Sequence, residues 1–554
     1  MSRLRGLGLL TLGGALASLA LGLAGCGGEH HQTKALRPPC PAGKVCLELG
    51  NDGDPTSLSP LKITGTFEDR LTSDVMMGLT QSAADGSPVP GMASSWETSP
   101  DGLTWTFHLR KAVWSDGVPV TADDFVYALR RLMDPAQASE YASVLYVIKN
   151  AEAVNNGKLP VTALGIRAVD DNTLEYKLDH PAPYLLELAK HQTMFPVPKH
   201  VVEKWGDAWS QPGHFVGNGP FNIVSWKLGD HIHAVKNPLF YDAKSVCVDQ
   251  INYYPTYDSV AAEKRVRAGE LDANGNIATN RIAFLRRPDQ MPAYVHVHTY
   301  LGSSYFAFNE HDPDSPFRDR RVRIALGMAI DRDFITRVLD HGAVDSAYTF
   351  VPPGIANYTP PTPPIWTTWP LARRQAAARA LLAQAGYGPG HPLKFELTHP
   401  SSPTALIQMP SVQADWKAIG VQASLKQEDV QILFQDLRLR AFQASWAGWI
   451  ADYDDAMNFL YLNQSSSGVQ DYSDYHNPTY DHLLDQANSE PDGKKRADYM
   501  RQAEAVMLAD QPIAPLVFQV NTNLVNPRIT GWVDNIVDQH RSRYLCVKGV
   551  PAVH

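Results

Sequence analysis

Leu103, Trp105, Phe107 and Leu109 alternate with polar residues, and this period of two predicts a strand with one buried face. Trp114-Ser115-Asp116-Gly117 follows as a turn, and Thr121 with Asp124 three residues on has the spacing of a capping box. Phe125, Leu129 and Leu132 fall on one side of the helix so begun. Residues 162–178 predict two short strands about the turn Asp170-Asp171-Asn172. Residues 371–387 predict an amphipathic helix stopped at Gly386. Lys394–Thr398 then reads as a strand, Pro410–Ile419 as a helix and Val421–Leu425 as a strand, the spacing of a parallel α/β unit. Further helices are predicted over Arg320–Ala329 and Ala497–Ala509. No internal repeat interrupts the pattern. The chain reads as α/β with mixed sheets, and at 554 residues it should divide into two or three domains.

The amino terminus is different material. Arg3 and Arg5 precede an apolar run from Gly6 to Ala24 that ends in Leu23-Ala24-Gly25-Cys26. A charged start, an apolar middle and small residues before a cleavage point predict a signal peptide over 1–25. An uncleaved membrane anchor is the alternative, disfavoured by the many glycines and the placed cysteine. The tetrapeptide resembles the lipobox of bacterial lipoproteins, which implies acylation of Cys26 and a membrane contact through that lipid. Residues 26–41 are then a polar, Pro-rich tether.

Composition narrows the classes further. Hydrophobic residues at 44% and charged ones at 19% describe a globular body. A net charge of −9, with no basic cluster beyond short pairs, argues against nucleic acid as a partner. Setting Cys26 aside leaves Cys40, Cys46, Cys247 and Cys546, an even number in an oxidising compartment. Two disulfides are expected in place of a metal site, since Cys-x5-Cys is not a zinc spacing.

The segment from Gly91 to Pro135 resembles the signature of the family 5 extracytoplasmic solute-binding proteins, the receptors of peptide-importing ABC transporters. Further resemblances are Gly217-Asn218-Gly219-Pro220-Phe221, Asn237-Pro238-Leu239-Phe240-Tyr241, Arg267-Ala268-Gly269-Glu270-Leu271-Asp272 and Asp319–Leu326. Ala447-Gly448-Trp449-Ile450-Ala451-Asp452-Tyr453 is similar to the oligopeptide-binding members. The resemblance implies a two-lobed periplasmic binding protein fold, type II-like with mixed sheets, plus a third domain. Mapped on this chain, lobe I takes 42–76, 202–302 and 520–554, the extra domain 77–201, and lobe II 303–519. It also implies a monomer that closes on a peptide and hands it to permease subunits, with no cofactor. On this map Cys247 and Cys546 share lobe I and the five residues between Cys40 and Cys46 can turn back. Cys40–Cys46 and Cys247–Cys546 are therefore favoured among the three possible pairings.

A peptide offers an ammonium, a carboxylate and backbone groups, so sequence-tolerant capture needs one anion, exposed backbone and roomy pockets. By the resemblance Asp452 meets the ammonium, the backbone of Gly448 and Ile450 pairs with the ligand, and Trp449 walls a pocket. Tyr141 and Thr66 match further ligand-facing positions. The alternatives are a helix cap for Asp452 before Asp454-Asp455-Ala456-Met457, and ordinary core packing for Trp449 and Tyr141. Two departures stand out. The cysteines that often occupy the places of Gly302 and Ile450 are both missing, and Trp446 stands where a basic residue often serves the ligand's carboxylate. Arg438, Arg440 and Lys426 are candidates to replace that charge.

Enzyme readings lack support: there is no Gly-x-Ser-x-Gly, P-loop or His-Glu-x-x-His pattern. The pairs His231/His233 and His296/His298 each put two rings on one strand face, yet neither has a third ligand nearby in sequence. Surface histidines and no metal are expected there. Other readings that remain open are a family 5 receptor for a nickel complex, an opine or a cell-wall peptide, and a sensory or chaperone-like binding protein.

Overall fold

The computed structural model describes residues 38–549. The signal peptide, Cys26 and most of the tether lie outside the described residues. No helix among the described residues is long and apolar enough to cross a membrane.

An 11-stranded mixed sheet runs through the molecule. Its spine is the antiparallel pair Val295–Phe308 and Ile513–Val525. Toward one edge lie Ala444–Ile450, Lys394–Pro400 and Gln422–Glu428, and toward the other Ala273–Gly275, Cys46–Gly50, Gln250–Tyr254, His231–Lys236 and Phe221–Lys227. The ladder of the two spine strands is broken between Thr299 and Ser303: Thr299 pairs with Val520, and Ser303 with Phe518. The expected lobe boundaries at 302/303 and 519/520 fall at this irregularity, inside continuous strands and not in loops. A ladder break within a strand concentrates bending there.

Two apolar cores lie beyond the break, on opposite faces of the sheet. One includes Phe306, Phe308, Phe395 and Trp416, and the other includes Tyr305, Phe350, Phe459 and Tyr480. The core with Leu47, Ile251 and Tyr253 is continuous with that of residues 77–201. The segment 77–201, expected as a third domain, therefore shares its interior with the first and last parts of the chain.

Its four-stranded antiparallel sheet takes the order Ala93–Thr98, Thr104–Leu109, Thr173–Lys177, Ile166–Asp170. Trp105, Phe107 and Leu109 are buried as their alternation requires. Each such side chain contributes roughly 1.5–3 kcal/mol. Asp124 accepts from the Thr121 backbone N–H at 2.9 Å and from buried Trp114 Nε1 at 3.3 Å, fastening the cap to the turn before it. Gly117, at φ +90, closes that turn in a conformation side chains resist.

Lys394–Pro400 and Gln422–Glu428 pair in parallel about a helix, as expected. That helix spans Pro403–Ala418, two turns longer than the Pro410 start expected from sequence. Ser402 Oγ caps it by accepting from the Ala405 N–H, Pro403 occupies its first turn, and Pro410 is carried in the interior. Buried Met409 and Val412 hold this stretch against the sheet, and packing outweighs proline's cost. The final long helix, Gly493–Asp510, starts four residues before Ala497, on an Asp492 cap. Disulfides join Cys40 to Cys46 and Cys247 to Cys546, the favoured pairing.

Candidate functional site

A cleft with two chambers, each of about 510 Å³, opens beside the sheet spine. Asp52, Asn276, Gln519, Val520 and Thr522 line both. Asp452, Thr66, Tyr141 and Ile450 converge on one chamber, and Trp446 lines the other. Four sequence-predicted residues from distant segments thus meet in one place.

Asp452 follows the strand Ala444–Ile450 and does not cap the helix after it. Ala456 holds the N-cap position, and Asp455 Oδ1, one residue before it, accepts from Met457 N–H at 2.9 Å. Asp455 is also held by Arg496, with contacts of 2.6 and 2.9 Å. Burial pushes the Asp452 carboxyl up to about 6, and a hydrogen bond with Asn458 opposes the shift. No cation among the described residues stabilises it, so it is an anion poised for one. Tyr141, whose phenol is pushed up to about 12 by burial and then by the Asp452 charge, stands beside it. Thr66 opens the helix Thr66–Val75, whose approach loop is tied down by Glu68 Oε2 accepting from the Thr64 and Gly65 N–H groups.

The strand Ala444–Ile450 pairs along its length with Gly302–Phe308 on one edge. On its other edge, pairing with Lys394–Pro400 stops at Ser445. Ala451 N–H donates to Leu301 O at 2.8 Å, so by alternation Ile450, Gly448 and Trp446 aim their backbone groups away from that neighbour. Beyond Ser445 the described residues provide no backbone partner there. An unpaired strand edge ending at an unpaired carboxylate is a template for an extended chain with a free amino terminus.

The two chambers differ in charge. Arg70, Lys190, His191, His540 and Arg541 line the Asp452 chamber together with Asp69 and Asp538. Among the described residues only Asp52 and Asp340 bring charge to the Trp446 chamber, which otherwise has uncharged polar side chains, such as Ser402, Thr404, Gln408 and Thr256, and apolar residues.

The model of the bacterial extracellular solute-binding proteins, family 5, matches residues 87–471. The chain belongs to this family. The periplasmic oligopeptide-binding protein OppA of Escherichia coli K12 is 35% identical over 507 residues, 90% of this chain and 92% of its own length. The probable deoxycholate-binding periplasmic protein YgiS of the same organism is 35% identical over 518 residues, 92% of this chain and 94% of its own. The solved structure of the Escherichia coli murein tripeptide binding protein MppA covers 91% of this chain and 99% of its own, at 33% identity and a TM-score of 0.77. As a family 5 member the chain has the mixed α/β fold of these binding proteins, and it is a solute-binding receptor and not an enzyme.

Within this family 5 site, Trp449 is placed differently from the expectation. It points to the other face of its strand, where Nε1 donates to Asn458 Oδ1 at 2.9 Å and the ring meets Tyr461 edge-on. It packs against a buried apolar cluster and lines neither chamber. Gly302 and Ile450 are direct partners across the ladder, which is where a cross-strand disulfide would sit. Arg438, Arg440 and Lys426 also line neither chamber. Arg440 pairs with Asp474 at 3.0 Å and Lys426 with Glu428 at 2.6 Å.

Sequence reasoning missed Asn458 and Gln519. Asn458 Oδ1 accepts from both the Trp449 indole and the Asp452 backbone N–H, the latter at 3.2 Å, and so positions the loop that carries the carboxylate. A polar residue inside Met457-Asn458-Phe459-Leu460 was the available signal. Gln519 is a spine residue shared by both chambers, and its position could be read only from the strand register.

Proposed function

We propose that this receptor captures peptides in the cleft, with the Asp452 carboxylate binding the ligand's amino terminus. The unpaired edge of Gly448 and Ile450 binds its main chain. The observation that carries the reading is the cation-free carboxylate at the end of that edge. The peptide ligands named for OppA and MppA support it. Lobe I (42–76, 202–302, 520–554) and lobe II (303–519) close about the ladder break, with 77–201 fixed to lobe I. The loaded receptor then serves an ABC importer from a membrane to which acylated Cys26 anchors it.

Native mass spectrometry of the purified protein should show a co-purifying mass of peptide size. Calorimetry should then give one site per chain for a tetrapeptide and at least tenfold weaker binding of its amino-acetylated form. Equal affinity for both forms would remove Asp452 from the role. The anchor is tested separately: intact mass of membrane-extracted protein should begin at lipid-modified Cys26, and retention of residues 1–25 defeats that part.

A further inference from the structure

Three donors from distant parts of the chain meet in the wall of the Asp452 chamber. His298 comes from the spine strand Val295–Phe308, whereas Asp538 and His540 lie in the segment after Ile513–Val525. Nε2 of His298 is 3.6 Å, and Nε2 of His540 2.9 Å, from Asp538 Oδ1. One donor atom from each residue lies within 4.8 Å of the other two. Four-coordinate zinc takes such ligands at about 2.0–2.2 Å, which sets neighbouring donors roughly 3.4 Å apart. Small side-chain rotations therefore suffice to close the triad on an ion.

The surroundings hold the donors in place. Trp532 stacks on the His540 ring at 3.8 Å, and Asn523 Nδ2 donates to Asp538 Oδ1 at 2.8 Å. Such outer contacts commonly orient metal ligands. A weak approach of the Asn535 backbone aside, neither ring nitrogen of His298 has a hydrogen-bond partner among the described residues, though both are buried. Leaving such groups unsatisfied is unfavourable, and a bound ion would relieve it. The cations of the chamber are otherwise committed: Arg70 pairs with Asp52 at 3.3 Å and Arg541 with Asp69 at 3.2 Å. Asp534 Oδ1, 3.8 Å from His298 Nδ1, adds a second negative charge.

We propose that His298, Asp538 and His540 form a binding site for one divalent transition-metal ion in the cleft wall. Two imidazoles and one carboxylate suit zinc and its first-row neighbours, and do not suit magnesium or calcium, which prefer all-oxygen sites. Asp538 and His540 line the chamber, so the remaining coordination positions face the cleft. Sequence spacing hid the site because its third and second ligands lie some 240 residues from His298.

The test is equilibrium dialysis of chelator-stripped full-length protein against zinc chloride, with magnesium chloride as the control. One zinc per chain is expected, with no magnesium retained. Zinc affinity should fall at least tenfold in both His298→Gln and His540→Gln and stay unchanged in His296→Gln. Asp538→Asn, which keeps the side chain's shape, provides the same readout if a histidine variant does not fold. Absence of stoichiometric zinc in the wild type, or wild-type affinity in these variants, overturns the proposal. Peptide affinity measured in chelator should persist, so loss of the metal site and loss of the peptide reading are separate outcomes.

Discussion

The two chambers of the cleft share one wall and differ in how they can hold a ligand. Around Asp452, carboxylates and cations crowd a partly buried space, and most are paired: Arg70 with Asp52, Arg541 with Asp69, and Lys190 with Glu187 at 2.6 Å. Asp452 stands outside this pairing, raised by burial and answered among the described residues by Asn458. Among the described residues no cation lines the Trp446 chamber; hydroxyls, amides, an indole and apolar side chains accompany the acids Asp52 and Asp340. In the proposed mode of capture, charge fixes one end of a ligand and the other end is free to vary. A receptor that must accept many sequences gains from this asymmetry, because a charge-assisted contact carries affinity without reading a side chain.

The strongest way to break the comparison is Asp452→Asn. A charge-assisted contact in a closed cleft contributes on the order of 1.5–3 kcal/mol, so peptide affinity should fall roughly ten- to a hundredfold. The apo protein should not lose stability at neutral pH. A carboxyl raised from 3.8 to about 6 in the fold disfavours the folded state once pH exceeds the unfolded value, and the amide removes that burden. Calorimetry with a tetrapeptide, paired with a thermal melt, reads both. Unaltered affinity would make Asp452 a bystander.

A smaller effect comes from pH. The free receptor takes up a proton at Asp452 as pH falls through about 6, and the bound ammonium opposes that uptake. Peptide affinity should thus fall by up to about tenfold per pH unit below 6. It should also weaken above about 8, where the peptide amine loses its own proton. Asp452→Asn should lack the acid limb and keep the alkaline one. An acid limb that survives the substitution would assign it to another group.

How much of this was legible in the sequence follows from the range of the forces involved. Local signals were reliable: the helix Arg320–Ala329, the capping box at Thr121 and Asp124, and the alternation of Trp105, Phe107 and Leu109 all depend on neighbours within a turn or two. Proline's local preference points to a helix start at Pro410, and burial of Met409 and Val412 carries the helix back to Pro403. Asp452, Tyr141 and Thr66 are legible only through family likeness, since nothing local places them together. Trp449 shows the limit of that route. One step of strand alternation turns its indole toward Asn458 and away from the cleft, and only the register could show it.

The sharpest remaining test of the contrast predicts almost no effect. If the Trp446 chamber takes the ligand's far end, amidating a peptide's carboxyl terminus should change its dissociation constant by less than about threefold, or roughly 0.7 kcal/mol. The reason is that no cation among the described residues lines that chamber, and Asp340 disfavours an added negative charge. Gln408 Nε2 donates to Asp340 Oδ2 at 2.7 Å, so this amide is also committed. The indole can instead stack on an apolar or aromatic residue of the ligand. Calorimetry on one tetrapeptide, free and amidated, makes the comparison. A loss beyond tenfold would show that the carboxylate finds a cation after all. Arg438, Arg440 and Lys426 line neither chamber, with Arg440 and Lys426 paired elsewhere, so Arg70, Lys190 and Arg541 would then be the groups to substitute. Because all three line the Asp452 chamber, that result would mean that both ends of a short ligand share one chamber and that the division between the two is false.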